Sequence, residues 1–233
     1  MIDKNLLRSF LPHQAPVHLA EKIRSGVAGG IAILLLGLIL HYLPHIQYPL
    51  LMLGSIAASA VLLFAVPHSP MAQPWNLIAG HFVSALAGWC CSLIIPDPLM
   101  ASAAAVGCAI LLMHLLNCLH PPGAATALTM VLSSTQYHDM GPLWAAYIVA
   151  ANAGLSLLLA LLINNLLPGR QYPAHHPVPA PSIHAAPFIE IDADDIEWAL
   201  SKMDGVIDVS EDDLIDIYRL AREHAQQQKY PKP

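Results

Sequence analysis

The run IRSGVAGGIAILLLGLILHYL, residues 23–43, decides the fold. Beyond Arg24 it carries no charged residue, and it stops at Pro44. A helix needs about 20 apolar residues to cross the hydrocarbon of a bilayer, and this run supplies them. What lies outward of it repeats the pattern. A second apolar segment extends from Tyr48 to Val66 and halts at the Pro67-His-Ser-Pro70 turn. A third covers Leu77 to Ile95, closed by Pro96-Asp97-Pro98, and a fourth covers Leu99 to Leu119. The segment from His120 to Thr135 is shorter and begins His-Pro-Pro-Gly, and the last runs from Leu143 to Leu167 before Pro168-Gly169-Arg170.

Composition excludes the obvious alternative, a water-soluble helical domain with a large core. Hydrophobic residues make up 56% of the chain and charged residues 11%, and the mean hydropathy is +0.54. Soluble domains carry roughly 25% charged residues. Between Arg24 and Arg170 there is no lysine or arginine, and the only acids are Asp97 and Asp139. Such a stretch can face lipid but not water. Lys4, Arg8, Lys22 and Arg24 precede the first segment and predict a cytoplasmic N-terminus, in a multi-pass protein of a bacterial inner membrane. The polar lead is long for a cleaved signal, and no small-x-small site follows the run, so the first segment is expected to stay. Cys90, Cys91, Cys108 and Cys118 all fall inside apolar runs and read as packing residues.

The fold class expected is therefore an all-α membrane domain over residues 23–169, after a cytoplasmic lead of residues 1–22. The count is either six crossings, or five with residues 120–135 re-entrant. Six returns Arg170 to the side of the N-terminus, and five leaves it opposite. Small residues at four-residue spacing mark helix contact faces in lipid. Gly26 with Gly30, Gly80 with Ser84 and Gly88, and Ala146 with Ala150 and Gly154 form such stripes. Val83-Ser-Ala-Leu-Ala-Gly88 aligns with Val149-Ala-Ala-Asn-Ala-Gly154, and Ala57-Ala-Ser-Ala60 with Ala124-Ala-Thr-Ala127. A repeat of three crossings inserts its copies in opposite senses, as in inverted-repeat transporters. Chance likeness among Ala- and Leu-rich helices is the other reading.

The net charge of −6 belongs to the C-terminal part, since six basic and twelve acidic residues lie from Arg170 onward. Residues 170–187 read as a Pro/His-rich linker with a His175-His176 pair, and residues 188–233 as an acidic two-helix cytoplasmic tail. Asp194 can cap the first tail helix and Ser210 the second. Two short helices make no core, so the tail is expected to dock on a cytoplasmic partner.

The densest chemistry lies in His120-Pro121-Pro122-Gly123-Ala124-Ala125-Thr126. Paired prolines break the preceding helix and suit the start of a new one. A helix start offers unsatisfied N–H groups that hold an anion without lysine or arginine. His120, Gly123, Ala124 and Thr126 would form that site. His120 or His114 could donate or accept a proton, His81 and Asn76 could contact the solute, and Ser59 would approach from the matching Ala57–Ala60 segment.

These residues resemble the signature of the HPP family of integral membrane proteins, named for its His-Pro-Pro tripeptide. The similarity extends over about residues 15–170 and includes Ala57 to Phe64, Pro70-Met-Ala-Gln-Pro74 with Asn76, and Gly80-His81 with Gly88. The family has glycine at the position of Ala57, arginine at that of Trp75, and Ala-Gly-Ala in place of Gly123-Ala124-Ala125. Plant and cyanobacterial members are associated with nitrite transport. The resemblance thus implies a transporter or channel for a small inorganic anion such as nitrite. Two other readings stand beside it: a divalent-metal transporter using His81, His114 and His120, and a non-transporting anchor that presents the acidic tail. No nucleophile–base pair, phosphate loop or HExxH motif appears, so neither an enzyme, a cofactor nor a nucleic-acid partner is expected. A homo-oligomer in the lipid bilayer is compatible with the small-residue stripes.

Overall fold

The computed structural model describes residues 18–42, 52–174 and Tyr218. The helices of the compact unit Leu19–His176 are α1 (Leu19–Tyr42), α2 (Ser55–Ala65), α3 (Pro74–Ile94), α4 (Pro98–Leu115), α5 (Pro121–Leu132), α6 (Ser134–Met140) and α7 (Pro142–Leu166). A 3-10 turn at Pro70–Ala72 stands between α2 and α3. No strand occurs among the described residues. Apart from Tyr218, the expected two-helix tail, its linker from residue 175 and the N-terminal lead to residue 17 lie outside them.

Four helices, α1, α3, α4 and α7, are long and apolar enough to cross a membrane. Prolines set most of the boundaries. Pro74, Pro98, Pro121 and Pro142 each open a helix, where the missing N–H leaves no bond unmade. Asp97 caps α4 by accepting from Met100 N at 2.8 Å. Two expected crossings are shorter than anticipated. Of Tyr48–Val66 only the 11 residues of α2 are helical among those described, and His120–Thr135 divides at Ser133 into α5 and α6.

The packing is that of a lipid-embedded bundle, and in α4 small residues lie inside while large apolar ones lie outside. In α4 the buried positions are Ala101, Ala105, Ala109 and Met113, a stripe at four-residue spacing. Leu111 and Leu115 on other faces of the same helix are 59% and 67% exposed. Lipid tails are as apolar as leucine, so association rests on the close approach that alanine and glycine permit. Two apolar clusters result. One joins α1, α2 and α7 through Leu36, Ile56, Leu63, Phe64 and Ile148, and the other joins α3, α4 and α5 through Ala87, Ala105, Met113 and Ala127.

The expected stripes divide. Gly80, Ser84 and Gly88 are buried, and α5 lies against them. Ala146, Ala150 and Gly154 face outward, as do Gly26 and Gly30; a Cβ at Gly26, Gly30 or Gly154 would meet nothing within 4 Å. The aligned pair Gly88 and Gly154 therefore occupies unlike environments.

Helix direction follows from paired contacts. Gly80 faces His120, Gly123 faces Ser84, and Gly88 faces Ala127 and Met130, so α3 and α5 run parallel. Leu53 N donates to Asn152 Oδ1 at 3.0 Å, and Asn164 Nδ2 donates to Leu63 O at 3.0 Å, so α2 and α7 also run parallel. At the end they share, Arg170 pairs with Glu21 and donates to Ser25 Oγ at 2.9 Å and Asn164 Oδ1 at 3.2 Å. The start of α1 and the end of α7 thus meet at one end of the bundle.

Candidate functional site

His81, two turns into α3, is the centre of a buried polar cluster. Its Nε2 lies 3.0 Å from Ser59 Oγ on α2, and its Nδ1 lies 2.7 Å from Thr126 Oγ1 on α5. Ser59 Oγ is also 2.9 Å from His120 Nε2. The other nitrogen, His120 Nδ1, donates to the Met71 carbonyl at 2.8 Å. Thr126 Oγ1 and Ser55 Oγ are 2.8 Å apart. Ser59, His81, His120 and Thr126 are each 0% exposed, so the cluster is closed to both surfaces in this structure.

Local sequence explains the arrangement. His120 is the N-cap of α5, where the prolines end one helix and begin the next. It can lie against α3 because Gly80 has no side chain: a Cβ there would come 2.6 Å from His120 Cβ and 3.0 Å from Cys118 O. Gly123 serves the same approach from the other side, since a Cβ on it would meet Ser84 Oγ at 2.7 Å and Gly80 O at 2.9 Å. Serine at 55 and 59 falls one turn apart on α2 and faces the same way. The tetrapeptides Ala57–Ala60 and Ala124–Ala127 each place their third residue, Ser59 or Thr126, on a different nitrogen of the same imidazole.

The turn before His120 is held by α3. Trp75 Nε1 donates to Leu116 O at 3.3 Å and Asn76 Nδ2 to Leu119 O at 2.9 Å. Asn76 is therefore a positioning residue that fastens the turn. On the opposite side the chain after α7 braces the Pro70–Ala72 turn. Tyr172 Oη donates to Ala72 O at 2.7 Å, and Ala174 N donates to Gln73 Oε1 at 2.9 Å. Burial pushes the Tyr172 phenol well above its ordinary range, so this donor keeps its proton.

Several expectations are corrected. Pro121 and Pro122 have no N–H, and the Gly123 N–H donates to His120 O at 2.7 Å, so these first positions of α5 offer no bare amide to an anion. Gly123 is buried against α3, Pro121 is exposed and Ala124 is only half-buried. His114 is exposed on the outer face of α4 and does not join His81 and His120. The metal reading thereby loses its third ligand, and no group of three or more His, Cys, Asp or Glu side chains suited to a metal occurs among the described residues. His81, His120, Ser59 and Thr126 do converge. Ser55 and the Met71 carbonyl belong to the cluster and were missed. Serine-55 had a signal, its four-residue offset from Ser59, whereas nothing in a sequence advertises a backbone carbonyl.

Residues 14–173 match the family described as "HPP, transmembrane region". The chain is 41% identical over 155 residues to a transmembrane protein of Dictyostelium discoideum, covering 64% of this chain and 49% of that one. A second Dictyostelium transmembrane protein is 40% identical over 154 residues, covering 64% of this chain and 53% of its own. The chain thus spans about half the length of the curated relatives it matches. No solved structure matches it.

Proposed function

Because this chain belongs to the HPP family of transmembrane proteins, we propose that it is a secondary transporter of a small inorganic anion, nitrite being the substrate to test first. One observation carries the reading. Two imidazoles and three hydroxyls are buried together where the short helices α2 and α5 meet α3, in a stretch of chain without lysine or arginine. Polar groups inside a membrane are costly and mark solute paths, and in transporters such sites form at interrupted helices. Imidazole N–H and hydroxyl groups are neutral donors suited to an anion. A cation would need acids, but Asp97 caps α4 and Asp139 sits on the short helix α6.

The anion site in this reading is the cluster itself, not the amides of α5. When α2 and α5 part, the bonds that Ser59, His81 and Thr126 make to one another become available to a solute. The passes number six: α1, α2, α3, α4, α5 with α6, and α7. Six returns Arg170 to the side of Glu21, and the basic lead places that side in the cytoplasm. The relatives come from Dictyostelium and lend no support to a bacterial inner membrane.

Reconstituted protein should take up nitrite from a panel of small anions and cations. Thr126→Val preserves shape and removes a hydroxyl, and His81→Leu removes the ring. Both should lower initial uptake at least tenfold in protein that remains helical and monodisperse. Uptake at the wild-type rate by His81→Leu would take the site out of the transport path.

A further inference from the structure

The buried chain of side chains permits a proton count. The Met71 carbonyl can only accept, so His120 Nδ1 carries a hydrogen whatever the charge on its ring. With His120 neutral, its Nε2 is a lone pair and must receive the Ser59 hydrogen. Ser59 has no second hydrogen to give, so its contact with His81 Nε2 is filled only when His81 donates. His81 Nδ1 then accepts from Thr126, which leaves the 2.8 Å Thr126–Ser55 contact to be filled by the Ser55 hydrogen. An uncharged chain therefore has one arrangement, with every hydrogen pointing toward Met71. Ser59 also lies 3.3 Å from the Ser55 carbonyl, beyond the usual O–H···O range.

One added proton fits in two ways. On His81 it turns the Thr126 hydroxyl toward Ser55, and on His120 it turns Ser59 toward His81 as well. Each contact again holds one hydrogen. The two forms interconvert when His81 Nε2 passes a hydrogen to Ser59 as Ser59 passes its own to His120 Nε2. Two N–H/O–H bonds break and two form. A second added proton would set two imidazoliums with ring centroids 5.0 Å apart around one hydroxyl.

Among the described residues, the elements that form the cluster, α2, α3, α5 and the Pro70–Ala72 turn, carry no acidic or basic side chain besides the two rings. Apart from the two rings, α2, α5 and the Pro70–Ala72 turn bring no titratable side chain. From α3 come Cys90 and Cys91, from α4 Cys108 and the exposed His114, from the following turn Cys118, and from α7 the exposed Tyr147. Tyr172 is bonded to Ala72 O. At the ends of α1, Glu21 is engaged by Arg170, Lys22 and Arg24 are exposed, and so is His41.

We propose that the Ser55–Thr126–His81–Ser59–His120 chain binds a single proton and that this proton crosses with the anion. The transported unit is then one monovalent anion with one H⁺, moved without net charge, and a divalent anion is left half-neutralised and excluded. The inference rests on the anion-transport reading above. The proton comes from water on one side and returns to water on the other.

The test uses the full chain in liposomes containing a pH indicator, with the potential set by potassium and valinomycin and nitrite as the probe. A potential of about 100 mV, negative inside, opposes a lone monovalent anion about 50-fold at equilibrium. The expected result is uptake that is indifferent to this potential, with one proton entering per nitrite above the protein-free background. Ser59→Ala should lose that match, and Ser59→Thr, which keeps the hydroxyl, should restore it. Potential-sensitive uptake without proton movement in the wild type overturns the proton pairing and leaves anion transport standing. Absence of uptake for every anion in folded wild-type protein overturns both.

Discussion

At the scale of single residues, the bundle depends on side chains that are absent. At Gly88 a Cβ would lie 2.3 Å from Ala127 O and 2.8 Å from Met130 Cβ, and the nearer neighbour is backbone that cannot turn aside. Gly88→Ala should cost about 2 kcal/mol, the range of an overpacked core, even after the gain in helix propensity. Gly107 is the control, because a Cβ there meets nothing within 4 Å; Gly107→Ala should be neutral or stabilising by up to about 1 kcal/mol. Unfolding midpoints in mixed micelles compare the two, and equal midpoints would mean that α5 can retreat from α3 without penalty. The importance of Gly80 and Gly88 was legible from their spacing with Ser84. The outward aim of His114 was not. On an α4 that is apolar all round, no polar face tells a reader which direction is inside.

At the scale of elements, proline and matching tetrapeptides carried most of the legible information. The break at His120 and the restart at Pro121 follow from proline chemistry, and the paired Ser59 and Thr126 hydroxyls follow from two alike segments. The contact stripes were legible only in part. Gly26 with Gly30 fits the spacing rule, yet the buried face of α1 is Ala28, Ala32, Leu36 and Leu40, because several four-residue series coexist on an apolar helix. The end of α4 hid another device. Asn117 has φ +50, Cys118 N donates to Met113 O at 2.9 Å, and Asn117 N donates to His114 O at 3.2 Å. This is a Schellman ending with asparagine in the left-handed place, closed by the contact of Cys118 with Met113 in one apolar cluster. Asn117 is thus a turn residue. Asn117→Gly should keep stability within about 0.5 kcal/mol, while Asn117→Val should lower it by about 1–2 kcal/mol, the cost of a left-handed β-branched residue. Thermal unfolding in detergent reads the difference. A stable valine variant would show that the turn ahead of His120 is not held by its backbone conformation.

At the scale of the whole membrane unit, the Arg170 clasp brings the start of α1 and the end of α7 together. The Arg170 side chain is 4% exposed and that of Glu21 is 16% exposed, and Asn164 extends the contact to Leu63 O at the end of α2. An ion pair so placed is strong evidence of proximity even where its net stabilisation is small, since breaking one side strands the other charge. Proximity of Glu21 and Arg170 requires an even number of crossings between them, which supports the six passes proposed above over five with a re-entrant segment. Gln73, bonded to Ala174, opens α3 at this same end, and 21 residues of helix carry Pro96 roughly 30 Å away at 1.5 Å per residue. In protein whose four cysteines are replaced, single cysteines at His18, Pro96 and Gln171 should therefore label in a fixed pattern with a membrane-impermeant maleimide. His18→Cys and Gln171→Cys should react from one side of sealed vesicles, and Pro96→Cys from the other. Labelling of His18→Cys and Gln171→Cys from opposite sides would break the even count, and with it the assignment of α2 and α5 to separate passes. Because α2 and α5 deliver Ser59 and Thr126 to one imidazole, that result would also undo the picture of two interrupted helices meeting at His81 from oppositely directed passes.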